Sequence, residues 1–271
     1  MAVRNGKDVE GSARGMAENG DDRDFVNSLA RGLEVIRSFT RARPRMTLSE
    51  VAAETDLPRA AVRRFLLTLV REGYAATDGK LFQLRPKVLE LGYSVIASLS
   101  IVEVAQPVMA DVSARLNESC SVAVLDGDEI VYVARSSAKR VVNIAATIGG
   151  RLPAYVTSMG RVLLAAQDDA ALDAYLARIS PEKLNARTVT SRVKLRDAIL
   201  EARLQGWSLV DQELEPGLCS IAVPLRDRAG RTVAALAIGA PSGRVDAATM
   251  RERFLPVLLE AAQQMAMAMP D

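Results

Sequence analysis

The segment from Thr47 to Leu84 constrains the fold more than any other part of the chain. It begins with TLSE at 47–50, a capping box that starts a helix. That helix must end before Leu57, because a residue that precedes a proline is excluded from the α region. Pro58 suits the first position of the next helix, which we expect to end at Gly73. Only two residues then separate the helices, so they must turn sharply against each other.

The residue pattern over 58–72 predicts a helix with one apolar and one cationic face. At about 100° per residue, Val62, Phe65 and Leu66 share the buried face. The outward face and its flank carry small and basic residues, namely Arg59, Ala60, Arg63 and Arg64. Asp78-Gly79, between two short strand-like runs, predicts a β-hairpin with Lys80 at its tip.

A further amphipathic helix, over 25–39, precedes this pair and is followed by a basic loop over 41–45. The residues of its apolar face are Val26, Leu29, Leu33, Ile36 and Phe39. Helices followed by a hairpin are typical of a winged helix-turn-helix, in which the second helix of the pair enters the DNA major groove. The alternative is a three-helix domain whose arginines are only solvated. The short turn, the outward arginines and the hairpin together favour DNA binding. The candidate DNA-contacting residues are Thr47, Arg59, Ala60, Arg63, Arg64 and Lys80.

The charge distribution agrees with a separate DNA-binding head. The 271-residue chain has a net charge of +2, but residues 24–85 carry +4 and the segments on either side carry −1 each. Residues 1–23 are polar without apolar periodicity, which predicts a disordered tail. Residues 86–100 are predicted to form a linker helix. The helix after it is either a dimerisation element or a core helix of the next domain.

Histidine is absent from the chain, and this excludes several function classes. There can be no Ser-His-Asp or Cys-His nucleophile pair and no histidine base, so we expect no enzyme and no catalytic residues. Two cysteines are too few for a structural zinc site, and no cofactor motif appears, so neither metal nor cofactor is expected. A single disulfide is feasible, but we expect reduced thiols. Without a secretory segment or a membrane-spanning stretch, the chain is predicted to be cytoplasmic.

Residues 101–271 predict an α+β domain with a mainly antiparallel sheet. Strand-like runs come in hairpins and helices lie between them, which argues against a doubly wound parallel sheet. Strands are expected at 121–125, 130–134, 141–148, 208–210, 220–225 and 232–238, with a loop at 149–153. The loop leads into a helix whose apolar set includes Val162, Leu163 and Leu164, and further helices are expected near 169–179, 191–205 and 246–267.

Three features of this domain could carry chemistry. The helix start at 157–160 has a capping Thr or Ser, and its free amides and dipole favour an anion. The alternative is a plain N-cap. Asp211, Glu213 and Glu215 alternate along the chain and form either a cation site or the exposed face of a strand. Cys219 lacks a base, which favours an inert buried thiol.

Residues 25–268 resemble the IclR family of bacterial transcriptional regulators. The matching head contains SLARGLEVIRSF, TLSEVAAETDLPRAAVRRFLLTLVREGY and DGKLFQLRPKVLELGY. The matching body contains GRLPAYVTSMGRVLLA and GWSLVDQELEPGLCSIAVPLRDRAGRTVAALAIGAP. The segments LPAYVTSMGRVLLA and LVDQELEPGL look most like the Pca/Pob branch, which serves aromatic catabolism.

This resemblance implies a winged helix-turn-helix, a linker helix and a GAF-like effector-binding domain in a dimer or tetramer on operator DNA. The implied effector is a small organic acid, aromatic or oxo, such as protocatechuate, 4-hydroxybenzoate or a β-ketoadipate-type compound. The family's pocket positions correspond to Ser158, Met159, Asp211 and Ser220, and they favour the anion-binding interpretation of the helix start.

The chain also departs from the family pattern. Relatives often have Arg where this chain has Cys219. The usual anionic effector would therefore need another partner, Arg135 or Arg151, or else the effector is less acidic. Ala237 and Gly239 stand where family pockets use serines, which implies a roomier floor, or else a collapsed apolar core. The sequence therefore predicts a ligand-gated DNA-binding regulator of aromatic-acid genes. An enzyme and a protein adaptor built on the same GAF-like domain are the alternatives.

Overall fold

The computed structural model describes residues 25–40, 42–92, 100–136 and 147–269. The chain divides into two compact units between Gly92 and Tyr93. The predicted disordered tail at 1–23 lies outside the described residues. No helix in the described ranges is both long and apolar enough to span a bilayer.

The first unit contains three helices and a small antiparallel sheet. The helices are α1 (Asn27–Ser38), α2 (Leu48–Thr55) and α3 (Arg59–Arg71), and the strands are β1 (Arg45–Thr47), β2 (Ala75–Thr77) and β3 (Leu81–Leu84). The strand order is β1-β3-β2, so β3 lies in the centre. Phe82 is opposite Met46 on one side and Thr77 on the other. This is the predicted winged helix-turn-helix.

Local chemistry explains the sharp turn between α2 and α3. The Thr47 side chain accepts a hydrogen bond from the Glu50 amide, and the Glu50 carboxylate accepts one from the Thr47 amide. Asp56 ends α2 in the left-handed region with φ 51°, a conformation that Asp tolerates better than most residues. Pro58 is the N-cap of α3 rather than its first residue, so the connection is one residue longer than predicted.

Two expectations for this unit were wrong. The basic loop predicted at 41–45 ends in β1, because Arg45 pairs with Gln83 of the wing. The predicted apolar face of α1 is largely uncovered: Val26 and Leu29 are 59% and 63% exposed, while Val35 is fully buried. The periodicity identified a real stripe, but the core takes the neighbouring face of the helix.

The predicted linker begins as a short 3-10 helix, Pro86–Leu89, and remains helical to Gly92. Residues 93–99 lie outside the described part of the chain. The second unit then starts with α4 (Ser100–Leu116).

The second unit is built on a six-stranded sheet. Its strands are β4 (Ser119–Asp126), β5 (Glu129–Ser136), β6 (Arg151–Pro153), β7 (Ser208–Asp211), β8 (Leu218–Arg226) and β9 (Thr232–Pro241). The order is β6-β5-β4-β9-β8-β7, and each neighbouring pair is antiparallel. This confirms the expected α+β class.

The helices of this unit are α5 (Ser158–Ala165), α6 (Asp169–Arg178), α7 (Arg192–Gln205), α8 (Ala247–Thr249) and α9 (Leu255–Ala268). A 3-10 turn, Ala154–Val156, precedes α5, and a π-helical turn, Met250–Phe254, joins α8 to α9. The loop expected at 149–153 ends in β6, which pairs with β5. Of the strand predicted at 141–148, residues 141–146 lie outside the described residues, and Thr147 and Ile148 form a bend and a turn.

The sheet separates two apolar cores. One core lies under α4 and α9 and includes Met109, Ile221 and Leu258. The other lies under α5, α6 and α7 and includes Leu164 and Leu195. Because successive side chains of a strand point to opposite faces, the four central strands β5, β4, β9 and β8 contribute to both cores.

Candidate DNA-binding surface and effector cavity

The outward face of α3 carries cations without intramolecular partners. Val62 and Leu66 are fully buried, whereas Arg59, Ala60, Arg63 and Arg64 are exposed. In the described ranges, no acidic side chain pairs with any of these three arginines. Their exposure makes these arginines available to a polyanion.

Nearby arginines behave differently. Arg43 pairs with Glu54, and Arg45 pairs with Asp78 at 2.8 Å. These pairs neutralise the cations that flank the wing. The arginines on the outward face of α3 differ from these two in having no acidic partner among the described residues.

The wing tip and the start of α2 hold the other two predicted residues. Lys80 is exposed in the turn between β2 and β3, where the Asp78 carboxylate accepts hydrogen bonds from the Lys80 and Leu81 amides. These bonds hold the pKa of Asp78 below its ordinary value. The Thr47 hydroxyl is engaged in the capping box, so its local role is to position α2.

The second unit contains a cavity of about 100 Å³ between the sheet and the start of α5. Of the five predicted effector-binding residues, four line this cavity: Arg135, Ser158, Met159 and Ser220. A single water needs roughly 10–15 Å³ of such space, so the cavity has room for about seven to ten non-hydrogen atoms.

The pairing of the strands determines which residues form the floor of the cavity. Ser119 lies opposite Gly239, and Gly239 lies opposite Ser220 on the next strand. Two residues further along β4, Ser121 lies between Arg135 and Ala237. Neighbouring strands are about 4.8 Å apart, so these positions form a compact patch of hydroxyls and small residues.

The start of α5 closes the cavity from above. The Thr157 hydroxyl accepts a hydrogen bond from the Gly160 amide, and the Ser158 hydroxyl donates to Ser220 Oγ at 3.0 Å. Because the cap already occupies the Gly160 amide, the Ser158 hydroxyl and the Met159 side chain are what the helix start presents. The two serines join the roof to the floor.

Gly160 permits a close backbone contact within the protein. A Cβ on Gly160 would lie 2.1 Å from the carbonyl oxygen of Ala154 and 2.4 Å from its Cα. The residue that approaches this glycine belongs to the 3-10 turn at 154–156. This contact packs the turn against α5 and fixes Ser158 over the sheet.

Asp211 and Arg151 do not line the cavity. Asp211 pairs with Arg187 at 2.5 Å, and Arg151 pairs with Asp126 and Glu129 at the sheet edge. Of the two arginines that the sequence suggested as partners for an effector carboxylate, Arg135 is therefore the better candidate, because it lines the cavity.

Cys219 lies on the face of the sheet away from the cavity, because it precedes the cavity-lining Ser220 in the same strand. It is fully buried, and burial raises the pKa of its thiol to about 11. Cys120 is buried in the same core with a pKa of about 12, and both thiols are free. A side chain at this position therefore faces away from the cavity. Having Cys219 there in place of an Arg removes no cation from the cavity wall.

A buried ion pair, which the sequence did not predict, braces the roof. Arg161 donates to both Glu213 oxygens at 2.8 and 2.7 Å and to the Tyr155 carbonyl at 3.0 Å. The Val189 amide also donates to Glu213. The two ionic side chains are only 4% and 11% exposed. No local sequence signal indicated this pair, because Glu213 stands in the polar stretch 211–215 and lies 52 positions from Arg161.

This pair corrects the interpretation of the three alternating acids. Asp211 and Glu213 have separate arginine partners, so the set is neither a cation site nor one exposed face. In the part of the chain that the structure describes, no group of three metal-binding side chains comes together.

Comparison with known proteins identifies both units. Residues 28–79 match the IclR helix-turn-helix domain, and residues 93–267 match the C-terminal domain of the bacterial transcriptional regulator IclR. The Pca regulon regulatory protein of Pseudomonas putida is 45% identical over 90% of this chain and 84% of its own length.

Two solved structures are also similar. An IclR homolog from Microbacterium hydrocarbonoxydans, complexed with 4-hydroxybenzoate, has a TM-score of 0.78 and 27% identity over 89% of this chain and 98% of its own. The inducer-binding domain of Acinetobacter PobR, a double mutant complexed with 3-hydroxybenzoic acid, has a TM-score of 0.59 and 30% identity over 61% of this chain and 97% of its own. The chain belongs to the IclR family and is a DNA-binding transcriptional regulator with an effector-binding domain.

Proposed function

We propose that the chain regulates genes of aromatic-acid catabolism by binding operator DNA through its first unit and a small aromatic acid in the cavity of its second. The observation that carries this proposal is a cavity sized for about seven to ten non-hydrogen atoms and lined by Arg135, Ser158 and Ser220. Similar proteins bind 4-hydroxybenzoate and 3-hydroxybenzoic acid. Both acids have one carboxylate, one hydroxyl and ten non-hydrogen atoms.

The effector would be bound by the cavity side chains themselves. The Arg135 guanidinium provides charge-assisted hydrogen bonds to a carboxylate. Ser158 and Ser220 provide hydroxyls that either donate or accept, and Met159 provides a polarisable apolar surface for a ring. We propose these four residues as the effector contacts and omit Asp211.

The DNA would be bound by α3 in the major groove. We propose that Arg59, Arg63 and Arg64 contact base edges or phosphates, that Ala60 allows close approach, and that Lys80 contacts the backbone beside the groove. The exposure of the three arginines, and the absence of an acidic partner for them among the described residues, support this assignment. Thr47 would act by holding the start of α2 in place.

The chain would act as a homo-oligomer in the cytoplasm, where its DNA target lies, and without catalysis. Residues 24–85 would read DNA, residues 86–100 would link the units, and residues 101–271 would bind effector and oligomerise. An exposed apolar stripe on α1, comprising Phe25, Val26, Leu29 and Leu33, supports an additional contact with a second copy. Paired heads match the paired half-sites that helix-turn-helix dimers bind.

The effector half of the proposal is tested by thermal unfolding with 4-hydroxybenzoate, protocatechuate and β-ketoadipate. An acid at 100 times its Kd stabilises the folded state by about 2.7 kcal/mol and must raise the melting temperature. Arg135→Gln should abolish the shift, whereas Arg178→Gln, at an exposed surface pair, should keep it. Failure of every acid to shift the melting temperature of the wild-type chain would refute the proposed effector class.

The DNA half is tested by gel shift with the DNA upstream of the chain's own gene. Arg64→Ala should weaken specific binding by roughly 1–3 kcal/mol and relax preference at one base position. Arg71→Ala, at the opposite end of α3, is the matched control and should bind like wild type. Equal affinities for the Arg64→Ala and wild-type chains would overturn the assignment.

A further inference from the structure

A β-bulge in the sheet turns two side chains of β5 toward the same cavity. Arg135 lies opposite Ser121 of β4. Tyr132 lies opposite Ala123, which is only two residues further along β4, so β5 has one extra residue over this stretch. Without that residue, two side chains three positions apart in a strand would point to opposite faces. With it, Tyr132 and Arg135 both line the cavity, and they start about 7 Å apart along the strand.

Small residues follow Tyr132 across the sheet. Ala123 lies opposite Tyr132 on β4, and Ala235 lies opposite Ala123 on β9. Both alanines are fully buried, and Tyr132 itself is only 8% exposed. The next two positions in the sheet therefore provide methyl groups against which a ring packs, and no side-chain partner for its hydroxyl.

The phenol of Tyr132 is a donor that the protein leaves unused. The Tyr132 amide donates to the Gly150 carbonyl at 3.0 Å, and the Tyr132 carbonyl accepts from the Gly149 amide at 2.8 Å, so its backbone is held from both sides. Its hydroxyl has no hydrogen-bond partner among residues 25–40, 42–92, 100–136 and 147–269. Burial raises the pKa of this phenol, with the nearby Arg135 opposing the rise, so the group remains protonated at neutral pH.

Tyr155 shows how a structural tyrosine of this unit differs. Its hydroxyl donates to the Glu182 carbonyl and accepts from the Glu182 amide, both at 3.0 Å. A buried hydroxyl without such partners is unfavourable, and a phenylalanine would fill the same space without that cost. The hydroxyl of Tyr132 therefore suits a partner that enters the cavity from outside the chain.

We propose that Tyr132 is a specificity-determining residue whose hydroxyl hydrogen-bonds the ring hydroxyl of a hydroxybenzoate effector. This inference rests on the proposed function, because it requires an acid in the cavity with its carboxylate at Arg135. The spacing of the two side chains along β5 suits a ring that carries an oxygen at each end. A keto oxygen accepts the same hydrogen bond, so the oxo acids among the effector candidates remain compatible with this residue.

Calorimetric titration of the full chain with 4-hydroxybenzoate and benzoate tests this, because the two acids differ only in the ring hydroxyl. The wild type should bind 4-hydroxybenzoate more tightly than benzoate. Tyr132→Phe removes only the phenol oxygen, so it should bind 4-hydroxybenzoate roughly 3–10-fold more weakly without weakening benzoate. Tyr74→Phe in the first unit, whose ring lies against Lys87, is the matched control and should bind both acids like the wild type.

Thermal melting without ligand separates a ligand contact from a structural bond. Tyr132→Phe should melt at or above the wild-type temperature, because the hydroxyl that it loses has no partner to leave behind. Tyr155→Phe should melt lower, because it loses both hydrogen bonds to Glu182. A Tyr132→Phe chain that melts as low as Tyr155→Phe would assign this hydroxyl a structural role and overturn the inference.

The titrations give three further results that would overturn it. If Tyr132→Phe weakens both acids alike, the phenol does not act on the ring hydroxyl. If it binds 4-hydroxybenzoate as tightly as the wild type, the phenol is not a contact. If the wild type binds β-ketoadipate but neither benzoic acid, no ring hydroxyl is recognised. In all three cases the binding of an acid by the wild type leaves the proposed function standing, whereas a wild type that binds no acid refutes both.

Discussion

The buried pair between Arg161 and Glu213 gives a prediction whose size follows from the structure. Glu213→Ala removes both carboxylate oxygens from the Arg161 guanidinium, which is 4% exposed in the intact pair, and among the described residues leaves it the Tyr155 carbonyl. Breaking a buried ion pair in this way destabilises a protein by about 3–5 kcal/mol. For a domain of this size, 1 kcal/mol lowers the melting temperature by about 2–4 °C, so we expect a decrease of roughly 6–20 °C.

The matched control removes a carboxylate from an exposed pair. Asp128→Ala removes the partner of Arg178, where the two side chains are 43% and 49% exposed. Exposed pairs contribute about 0–1 kcal/mol, so the melting temperature should fall by only a few degrees. Both variants are compared with wild type by circular dichroism of the full chain at several heating rates.

A double replacement separates charge from packing. Arg161→Met with Glu213→Leu removes both charges and fills the space, so it should recover much of the stability lost in Glu213→Ala. The reasoning is refuted if Glu213→Ala melts no lower than Asp128→Ala. Because Leu214, beside Glu213, lines the cavity, the single variant should also bind 4-hydroxybenzoate more weakly.

Three further predictions concern other parts of the molecule. Gly160→Ala should unfold or strongly destabilise the second unit, because its Cβ would lie 2.1 Å from a backbone oxygen. The control Gly239→Ala, whose Cβ would lie 3.5 Å from Leu218, should keep the wild-type melting temperature. Equal melting curves for the two variants would contradict this prediction. Iodoacetamide at pH 8 should leave both thiols of the native chain unmodified, because they are buried with pKa values of about 12 and 11, and should modify both after unfolding, as read by mass spectrometry. Folding lowers the pKa values of Glu50 and Asp78 from 4.5 and 3.8. Their contribution to stability is therefore present above those values and is lost as the pH falls through the lower folded pKa values. In Glu50→Gln with Asp78→Asn, the free energy of unfolding of the first unit should decrease less steeply as the pH is lowered.

Local chemistry made the head predictable from sequence. The capping box at 47–50, the Leu57-Pro58 step and the Asp78-Gly79 turn each act within a few residues, so they specify α2, α3 and the hairpin directly. The burial of α1 was harder to predict, because periodicity defines a stripe but not which neighbour covers it. The pairing of Arg45 with Gln83 is a long-range contact that no local signal encodes.

The cavity was predictable only in part, for similar reasons. Resemblance to the family indicated Ser158, Met159 and Ser220, but the alternation of a strand decides which of two adjacent residues faces the cavity, and it turns Cys219 away. Ion pairs join residues 52 positions apart, as in Arg161 and Glu213, or 126 apart, as in Arg244 and Glu118. Such pairs arise from the assembled sheet and have no spacing that a sequence motif could reveal.

The central claim is that an acid in the cavity changes the affinity of the head for DNA. Fluorescence anisotropy of labelled upstream DNA, titrated with the full chain with and without saturating 4-hydroxybenzoate or protocatechuate, measures this coupling directly. The account predicts specific binding and a change in its Kd of about 5–150-fold with acid, absent in Arg135→Gln. An unchanged Kd, with acid binding verified by calorimetry, would contradict it.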